Sequence, residues 1–310
     1  MQLKEKDLLG IQSLDPAEIN LILDTAATMK RVLASSSKKT AHMQGKSIIT
    51  LFYENSTRTR LSFEMAAKYM GAATANVASS SSSVNKGETL LDTARTIDQM
   101  GTDILILRHP QSGAPHLIAP HIQASVINAG DGMNEHPTQA LLDLFTIREK
   151  KQNLRGLKVA IVGDLLHSRV ARSNLWGLCK MGATVRMAAP PTLIPSGLQG
   201  LQVQLCTSIQ DAVRDADVVM GLRIQLERMQ QALFPSINEY AHFFALDEKA
   251  MALARPDAII MHPGPCNHGV EMPTIVYDSD RSVIQEQVTN GVAVRMALMF
   301  LLTSRRNAAL

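Results

Sequence analysis

The sequence predicts an α/β protein with two doubly wound domains, each with a mainly parallel sheet flanked by helices, joined by interdomain helices. Two successive series of strand-like apolar runs and helical patterns follow one another along the 310 residues. Such alternation is typical of βαβ units. The run LKVAIVG at residues 157–163 is apolar almost throughout, as expected for a parallel strand that is buried on both faces.

The first half opens with a clear helix start. Asp15 can cap the free amides, Pro16 suits the first helical position and Glu18 completes a capping box. Apolar residues then recur at helical spacing. Strands are predicted at residues 47–53, 74–78, 103–108 and 125–128, and helices at 57–70, 88–100, 112–120 and 136–150.

The second half repeats the alternation. Its strands are predicted at residues 157–163, 184–188, 217–222 and 258–262, and its helices at 168–181, 208–214 and 290–302. We expect a first domain over residues 1–150 and a second over residues 151–289. The C-terminal segment, residues 290–310, is expected to pack back on the first domain.

Composition narrows the class of protein. Apolar residues make up 45% and charged residues 19% of the chain, which is typical of a globular protein. A net charge of +3 and 4% aromatic residues argue against a nucleic-acid partner. Three scattered cysteines favour reduced thiols in a cytoplasmic protein. No signal peptide is expected, and the apolar stretch at residues 292–302 is too short for a membrane span.

The strongest local motif is the segment STRTR at residues 56–60. It lies between a predicted strand and a predicted helix, so its hydroxyls and amides surround a helix N-terminus. Such a terminus attracts an oxyanion, and Arg58 and Arg60 add permanent charge. The alternative is an ordinary serine cap followed by solvated arginines. The position after a buried strand favours the phosphate site.

Three more motifs fall at predicted strand ends. They are Arg108-His109-Pro110, the helix start His136-Pro137-Thr138-Gln139 and the turn His262-Pro263-Gly264-Pro265. A single His-Pro pair is weak evidence, because histidine before proline often only ends a strand. In open parallel sheets, however, ligands bind beyond the carboxyl ends of the strands. The three motifs together therefore indicate a binding edge.

These motifs resemble the aspartate and ornithine carbamoyltransferase family over essentially the whole chain. The segment FYENSTRTR at residues 52–60 and the two His-Pro motifs carry the resemblance. Lys86-Gly87-Glu88-Thr89 and Arg223-Ile224-Gln225, with Glu227-Arg228 after it, are similar to the aspartate branch. The resemblance implies transfer of a carbamoyl group from carbamoyl phosphate to L-aspartate, an early step of pyrimidine biosynthesis.

The resemblance also implies roles for individual residues. The implied carbamoyl phosphate-binding residues are Ser56, Thr57, Arg58, Thr59, Arg108, His136, Gln139, Gly264 and Pro265. The implied catalytic residues are Arg58, Thr59, Lys86, Arg108 and His136. Donors aimed at the developing charge on the carbonyl oxygen stabilise the transition state. The peptide between Gly264 and Pro265 is cis in the family, which sequence alone does not establish.

Aspartate would be held by Lys86, Arg169, Arg223 and Gln225. Alone, Arg169 and Arg223 read more often as solvated arginines; beside the other motifs a dicarboxylate site is favoured. The resemblance places Ser82 and Lys86 on a loop that enters the neighbouring subunit's site, which implies a homotrimer. Glu54 would pair with Arg169 and Arg228 on domain closure. Association with regulatory chains or a dihydroorotase is left open.

One departure from the family pattern and several rival functions remain. Cys266-Asn267-His268-Gly269 stands where many relatives have Val-Asn-Arg-Gly, and His262, Cys266 and His268 superficially resemble metal spacing. We expect no metal and no cofactor, because a fourth ligand is not evident. A dinucleotide-dependent oxidoreductase is disfavoured, since residues 164–167 lack the second and third glycines. A non-catalytic relative and an ornithine-specific enzyme are two further rivals.

Overall fold

A computed structural model describes residues 2–78, 87–198, 201–229 and 233–308. These residues form two compact units, one within Met1–Phe145 together with Thr289–Leu310 and one within Thr146–Val288, called unit 1 and unit 2 below. The helices are α1 (Pro16–Ala34), α2 (Thr57–Tyr69), α3 (Leu90–Gln99), α4 (Ala114–Ile118), α5 (Pro137–Lys151), α6 (Arg169–Lys180), α7 (Ile209–Val213), α8 (Ile237–Phe244), α9 (Glu248–Met251), α10 (Thr274–Tyr277) and α11 (Ile284–Ala308). The strands are β1 (Ser47–Phe52), β2 (Ala73–Ala78), β3 (Ile104–His109), β4 (Ser125–Asp131), β5 (Lys158–Val162), β6 (Thr184–Ala188), β7 (Val203–Cys206), β8 (Val218–Gly221) and β9 (Ile259–Met261).

Helix α1 begins with the predicted capping box. The Asp15 carboxylate accepts the backbone N–H of Glu18 at 2.8 Å, and the Glu18 carboxylate accepts the backbone N–H of Asp15 at 3.1 Å. Pro16 occupies the first turn, where its missing N–H costs nothing. One apolar stripe at helical spacing is buried: Ile19, Ile22, Leu23, Ala26 and Met29.

The unit 1 sheet has four parallel strands among the described residues, in the order β2-β1-β3-β4. On one face, Leu51, Leu105 and Val126 pack in a buried cluster with apolar residues of α3 and α4. The backbone of Leu8 extends the sheet edge by donating to Val126 at 2.8 Å and accepting from Asn128 at 2.9 Å. Strands buried this fully explain the continuous apolar runs in the sequence.

The unit 2 sheet is also parallel, with five described strands in the order β7-β6-β5-β8-β9. Its core includes Val162 of β5, Val219 of β8 and Ile260 of β9, with apolar residues of α7 and α9 packed against them. Both predicted parallel sheets, with their flanking helices, are therefore confirmed.

The structure corrects several predicted elements. Strand β7 was not predicted, because its four residues are half exposed and alternate polar with apolar. The short helices α8, α9 and α10 were also missed. The last helix begins at Ile284 rather than at residue 290. Of the helices within the described ranges, none combines the length and the hydropathy that crossing a bilayer would require.

Candidate active site

The carboxyl ends of the unit 1 strands lead into three of the predicted site segments. Phe52 at the end of β1 is aligned with Arg108 in β3, and His109 is aligned with Asp131 at the end of β4. Because the strands are parallel, the chain leaves all of them at the same edge, where open α/β sheets bind ligands. The segments that carry residues 56–60, Arg108 and His136 start at this edge.

Helix α2 begins a few residues beyond β1. Ser56 precedes it with extended backbone (φ −159°, ψ 93°), and its hydroxyl accepts no capping hydrogen bond from the described part of the helix. The first turn contains Thr57, Arg58 and Thr59 and no acidic side chain. The first amides of a helix have no acceptor within the helix, and the helix dipole there is equivalent to about half a positive charge. Both features lie beside a cationic side chain. This combination suits a phosphate oxygen.

Contacts with Glu54 and Ala129 hold Arg108 at the end of β3. Its Nε lies 3.3 Å from Oε2 of Glu54, and its Nη1 donates to the carbonyl oxygen of Ala129 at 3.2 Å. The exposed fractions of the Arg108 and Glu54 side chains are 14% and 21%, so solvent screens the pair only in part. The family resemblance implies that Glu54 pairs with Arg169 and Arg228 on domain closure. In the structure its carboxylate also lies beside Arg108.

His136 is positioned by a rigid turn between β4 and α5. The fully buried Asp131 carboxylate accepts hydrogen bonds from Gly113, Asn128, Asn134 and Glu135, at 2.7, 2.8, 3.1 and 3.1 Å respectively. The His136 carbonyl oxygen accepts from the N–H of Gln139 at 3.0 Å, and the ring is buried with 4% exposed. The backbone on both sides of His136 is thus held in place. A donor on such a preorganised turn would need no reorganisation when charge develops beside it.

In unit 2, a buried carboxylate joins the segments that follow β5 and β8. Asp164 is fully buried; its Oδ1 accepts the backbone N–H of His167 at 3.1 Å and lies 2.9 Å from the His167 Nδ1. Its Oδ2 accepts the backbone N–H of Gln225 at 3.2 Å. The His167 carbonyl oxygen accepts from Gln225 Nε2 at 3.1 Å and from Arg228 Nη1 at 3.3 Å. These contacts fix two of the residues predicted for this half of the site.

Arg169 and Arg223 stand on the same two segments. Ser168 caps α6 by accepting a backbone N–H at 3.1 Å, and Arg169, the first helical residue, is only 5% exposed. Gly163 has φ +132°, and a Cβ there would overlap the Leu222 carbonyl oxygen. Glycine therefore permits the close approach of the two segments. The structure places both predicted arginines at the carboxyl edge of the unit 2 sheet.

The segment after β9 carries the remaining predicted residues. The peptide between Gly264 and Pro265 is cis. The backbone N–H of His262 donates to Gln287 Oε1 at 3.0 Å, and the backbone N–H of Gly264 donates to His262 Nδ1 at 2.9 Å. The turn that presents the Gly264 and Pro265 carbonyls is thus braced by side chains on both sides.

Cys266, which departs from the family pattern, lies in a cluster whose third member differs from the one that the spacing indicated. His262, Cys266 and Glu271 have potential ligand atoms within 4.8 Å of one another. His268 instead packs its ring against Tyr277, with 4.8 Å between ring centroids. The spacing of residues in the sequence did not predict that Glu271 belongs to this cluster.

Hydrogen bonding determines the character of this cluster. Glu271 Oε1 accepts the backbone N–H of Asn267 at 2.6 Å and lies 3.6 Å from His262 Nε2. Because His262 Nδ1 accepts from Gly264, a neutral ring carries its proton on Nε2. That nitrogen therefore faces Glu271 as a donor, not as a lone pair for a cation. Burial, followed by the Glu271 charge and its hydrogen bond, raises the pKa of Cys266 to about 12.

Several residues essential to this geometry were missed from the sequence. Asp131, Asp164 and Glu271 accept backbone amides from buried positions. The available signal was an acidic residue directly after an apolar strand, as in Gly163-Asp164. The predicted Ser82 and Lys86 lie outside the described residues.

Two family profiles match the chain, one in its first half and one in its second half. The profile for "Aspartate/ornithine carbamoyltransferase, carbamoyl-P binding domain" matches residues 6–149, and that for the "Asp/Orn binding domain" matches residues 155–302. The aspartate carbamoyltransferase catalytic subunit of Ruminiclostridium cellulolyticum is 66% identical over 98% of this chain and 97% of its own length. That of Acetivibrio thermocellus is 64% identical over 98% of each chain.

Solved structures give a consistent result. Aspartate transcarbamoylase from Trypanosoma cruzi, in complex with carbamoyl aspartate and phosphate, superposes with a TM-score of 0.87 at 31% identity and covers 96% of each chain. Ornithine carbamoyltransferase from Pyrococcus furiosus gives a TM-score of 0.86 at 30% identity, over 97% of this chain and 98% of its own. The chain therefore belongs to the aspartate/ornithine carbamoyltransferase family.

Proposed function

We propose that this chain transfers the carbamoyl group of carbamoyl phosphate to the amino group of L-aspartate, giving N-carbamoyl-L-aspartate and phosphate. The observation that carries the proposal is the carboxyl edge of the unit 1 sheet, from which the α2 N-terminus, Arg108 and His136 all extend. The relatives at 66% and 64% identity are aspartate carbamoyltransferase catalytic subunits. The product is an early intermediate of pyrimidine biosynthesis.

The phosphate is assigned to the start of α2. The hydroxyls and amides of residues 56–59 and the Arg58 guanidinium supply donors and charge for its oxygens. Arg108 bridges the phosphate and the carbonyl group. Its ion pair with Glu54 holds the guanidinium in place when no phosphate is bound, and a dianion would compete with that carboxylate for the same group.

The carbonyl group is assigned to Thr59, Arg108 and His136. Each donates toward the carbonyl oxygen as it becomes an oxyanion, where one donor contributes about 3–4 kcal/mol to catalysis. Gln139 and the carbonyls of Gly264 and Pro265 accept from the carbamoyl NH2. A neutral His136 imidazole is sufficient for donation, so no general-base role is assigned to it.

The second substrate is assigned to unit 2. Arg169 and Arg223 bind the two carboxylates of aspartate, Gln225 assists and Lys86 completes the set. The amine lone pair adds to the carbonyl carbon to form the new C–N bond and the oxyanion. The C–O bond to phosphate then breaks as the C=O bond forms again. The proton lost by the amine passes to the departing phosphate or to water. Catalysis rests on orientation and charge rather than on a covalent enzyme intermediate.

Higher-order features belong to the same proposal. The chain is assigned to a homotrimer, in which the serine-rich loop with Ser82 and Lys86 completes the active site of a neighbouring subunit. Glu54, with Arg169 and Arg228, would stabilise the closed form and exclude water.

A product assay with an amine panel tests the proposed function. Purified chain is given carbamoyl phosphate with aspartate, ornithine or other amines, and carbamoylated products and phosphate are measured. We expect carbamoyl-aspartate and phosphate in equal amounts, with ornithine inert. Carbamoylation of ornithine in preference to aspartate would reassign the chain to the other branch, and release of phosphate without a carbamoylated amine would contradict the transfer.

A further inference from the structure

Gln139, which the proposed function assigns to the carbamoyl NH2, is itself held by a second buried residue. Gln139 Nε2 donates to Asp143 Oδ1 at 3.0 Å, one turn further along α5. The exposed fractions of the two residues are 9% and 0%. An ionised carboxylate can only accept hydrogen bonds. The amide must therefore turn its nitrogen toward Asp143, which directs Oε1 the other way.

The buried Asp143 carboxylate has a cationic neighbour in α11. Arg295 is 4% exposed, and its guanidinium carbon lies 4.9 Å from the centre of the Phe63 ring. Burial lowers the pKa of Arg295 to about 10, and the charge of Asp143 opposes that shift. Arg295 therefore remains a cation at neutral pH. A Cβ at Gly291 would come within 2.6 Å of Arg295 Nη1, so the missing side chain there leaves room for the guanidinium.

A purely structural reason for this arrangement is weak. Burying two charges costs several kcal/mol per ion, and apolar residues of similar volume are often at least as stable. An exposed Gln–Asp pair would support the helix equally well. The hydrogen bond from Gln139 to Asp143, however, involves a residue with a proposed substrate contact.

We propose that the buried Asp143 is a positioning residue that holds the Gln139 amide with Oε1 toward the NH2 of the carbamoyl donor. This inference rests on the proposed function. Without a fixed acceptor at position 143, the amide can rotate and present its own NH2 to the substrate NH2, so that two donors face each other. The arrangement would thereby select a carbamoyl group over an acyl group of the same shape.

Acetyl phosphate is the probe for this selection, because a methyl group replaces the NH2. The KM for carbamoyl phosphate and the inhibition constant of acetyl phosphate as a competitor are measured for Asp143→Asn. We expect the KM to rise about tenfold, as for one lost hydrogen bond, while the acetyl phosphate constant stays unchanged. In a Gln139→Ala background, Asp143→Asn should cause no further rise in the KM for carbamoyl phosphate. The proposal would be overturned if Asp143→Asn raised both constants by the same factor. It would also be overturned if the effects of the two substitutions on the KM added in the double variant.

Arg295→Gln provides a second variant that retains the carboxylate. Loss of the nearby cation favours the neutral Asp143 carboxyl over the carboxylate. A neutral carboxyl can donate to the amide instead of accepting from it, and the carboxylate returns as the pH rises. We expect discrimination between the two phosphates to be poor near neutrality and to recover with rising pH, which the wild type should not show. Discrimination unchanged at every pH in Arg295→Gln would contradict the inference even if Asp143→Asn failed to fold.

Two controls separate the possible failures. Asp257→Asn removes a carboxylate that pairs with Lys151 at 2.8 Å in unit 2, and it should leave both constants unchanged. The wild type must first form carbamoyl-aspartate; if it does not, the proposed function fails. If the wild type is active and both substitutions leave discrimination intact, the positioning role alone fails.

Discussion

At the scale of single residues, two arginines are assigned to different reactants: Arg58 to carbamoyl phosphate and Arg223 to aspartate. Arg58 lies in the first turn of α2 in unit 1, where helix amides add to its charge. Arg223 follows β8 in unit 2, two residues before Gln225, whose amide is fixed by Asp164. Their substitutions should therefore have different kinetic effects.

We expect Arg58→Ala to lower kcat roughly 100- to 1000-fold at any aspartate concentration, because a transition-state donor is lost. Arg223→Ala should mainly raise the KM for aspartate, by roughly ten- to a hundredfold for a lost charged hydrogen bond. Steady-state kinetics with both substrates varied distinguishes the two effects. Arg255→Ala is a matched control, since that side chain is 54% exposed and pairs with Asp217. Two variants that both altered only aspartate affinity would refute the assignment.

The Cys266 thiol gives a prediction about pH. Burial and Glu271 hold its pKa at about 12, so the thiolate is scarce at neutral pH and alkylation should be slow. Glu271→Gln removes the negative charge that disfavours the thiolate, so the pKa should fall and alkylation at Cys266 should accelerate. Peptide mass spectrometry over a range of pH gives the rate at each cysteine.

Cys179 is the internal reference for this measurement. Burial raises its pKa, and its hydrogen bond goes to a backbone carbonyl rather than to a carboxylate. Its alkylation rate should be the same in both proteins. Acceleration at both cysteines would indicate general loosening of unit 2, and no acceleration at Cys266 would exclude the Glu271 effect.

The residues that are assigned to ligands were easier to predict from the sequence than the residues that hold them in place. Arg58, Arg108 and His136 follow apolar runs in motifs, which makes them visible. Asp131 and Asp143 are single acidic residues in ordinary contexts, and their roles depend on which amides and side chains the fold brings to them. Such partners are remote in sequence or buried by packing, and hydrophobic periodicity does not encode them.

At the scale of secondary-structure elements, the N-terminus of α6 links helix capping to the proposed aspartate site. Ser168 caps the helix on which Arg169 is the first residue. We expect Ser168→Ala to lower the free energy of unfolding by about 1 kcal/mol and also to raise the KM for aspartate. Denaturant unfolding and steady-state kinetics measure the two effects.

Ser236→Ala is the matched control. Ser236 caps α8 through an equivalent bond to the N–H of Glu239 at 3.1 Å, and it has no assigned substrate contact. Ser236→Ala should lower the free energy of unfolding by a similar amount to Ser168→Ala, but it should leave the KM for aspartate unchanged. If both variants raised the KM equally, the effect would come from stability and not from the position of Arg169.

The elements themselves were predictable to different extents for physical reasons. Strands β1, β3, β5 and β8 lie inside the sheets, so their apolar runs are continuous and easily recognised. Strand β7 lies at a sheet edge with two exposed residues, and its short alternating run resembles a loop. The first turns of α11 were missed because residues 284–289 mix polar with apolar side chains.

At the scale of the whole molecule, the donor and the acceptor are assigned to different units, and the proposed Lys86 contact comes from another subunit. Sequence periodicity describes one chain and carries no information about such sharing. The homotrimer with shared sites therefore needs a test that depends on chain mixing rather than on the fold of one chain.

Mixing two inactive variants supplies that test. Lys86→Ala and Arg58→Ala chains should each have little activity alone. After subunit exchange, a mixed trimer contains some sites that receive Lys86 from one chain and Arg58 from another, and we expect activity to return in those sites. Exchange is verified independently with differently tagged chains, and Arg255→Ala mixed with Arg58→Ala shows the activity expected when only one variant is defective. Demonstrated exchange with no recovery would mean that each chain completes its own site.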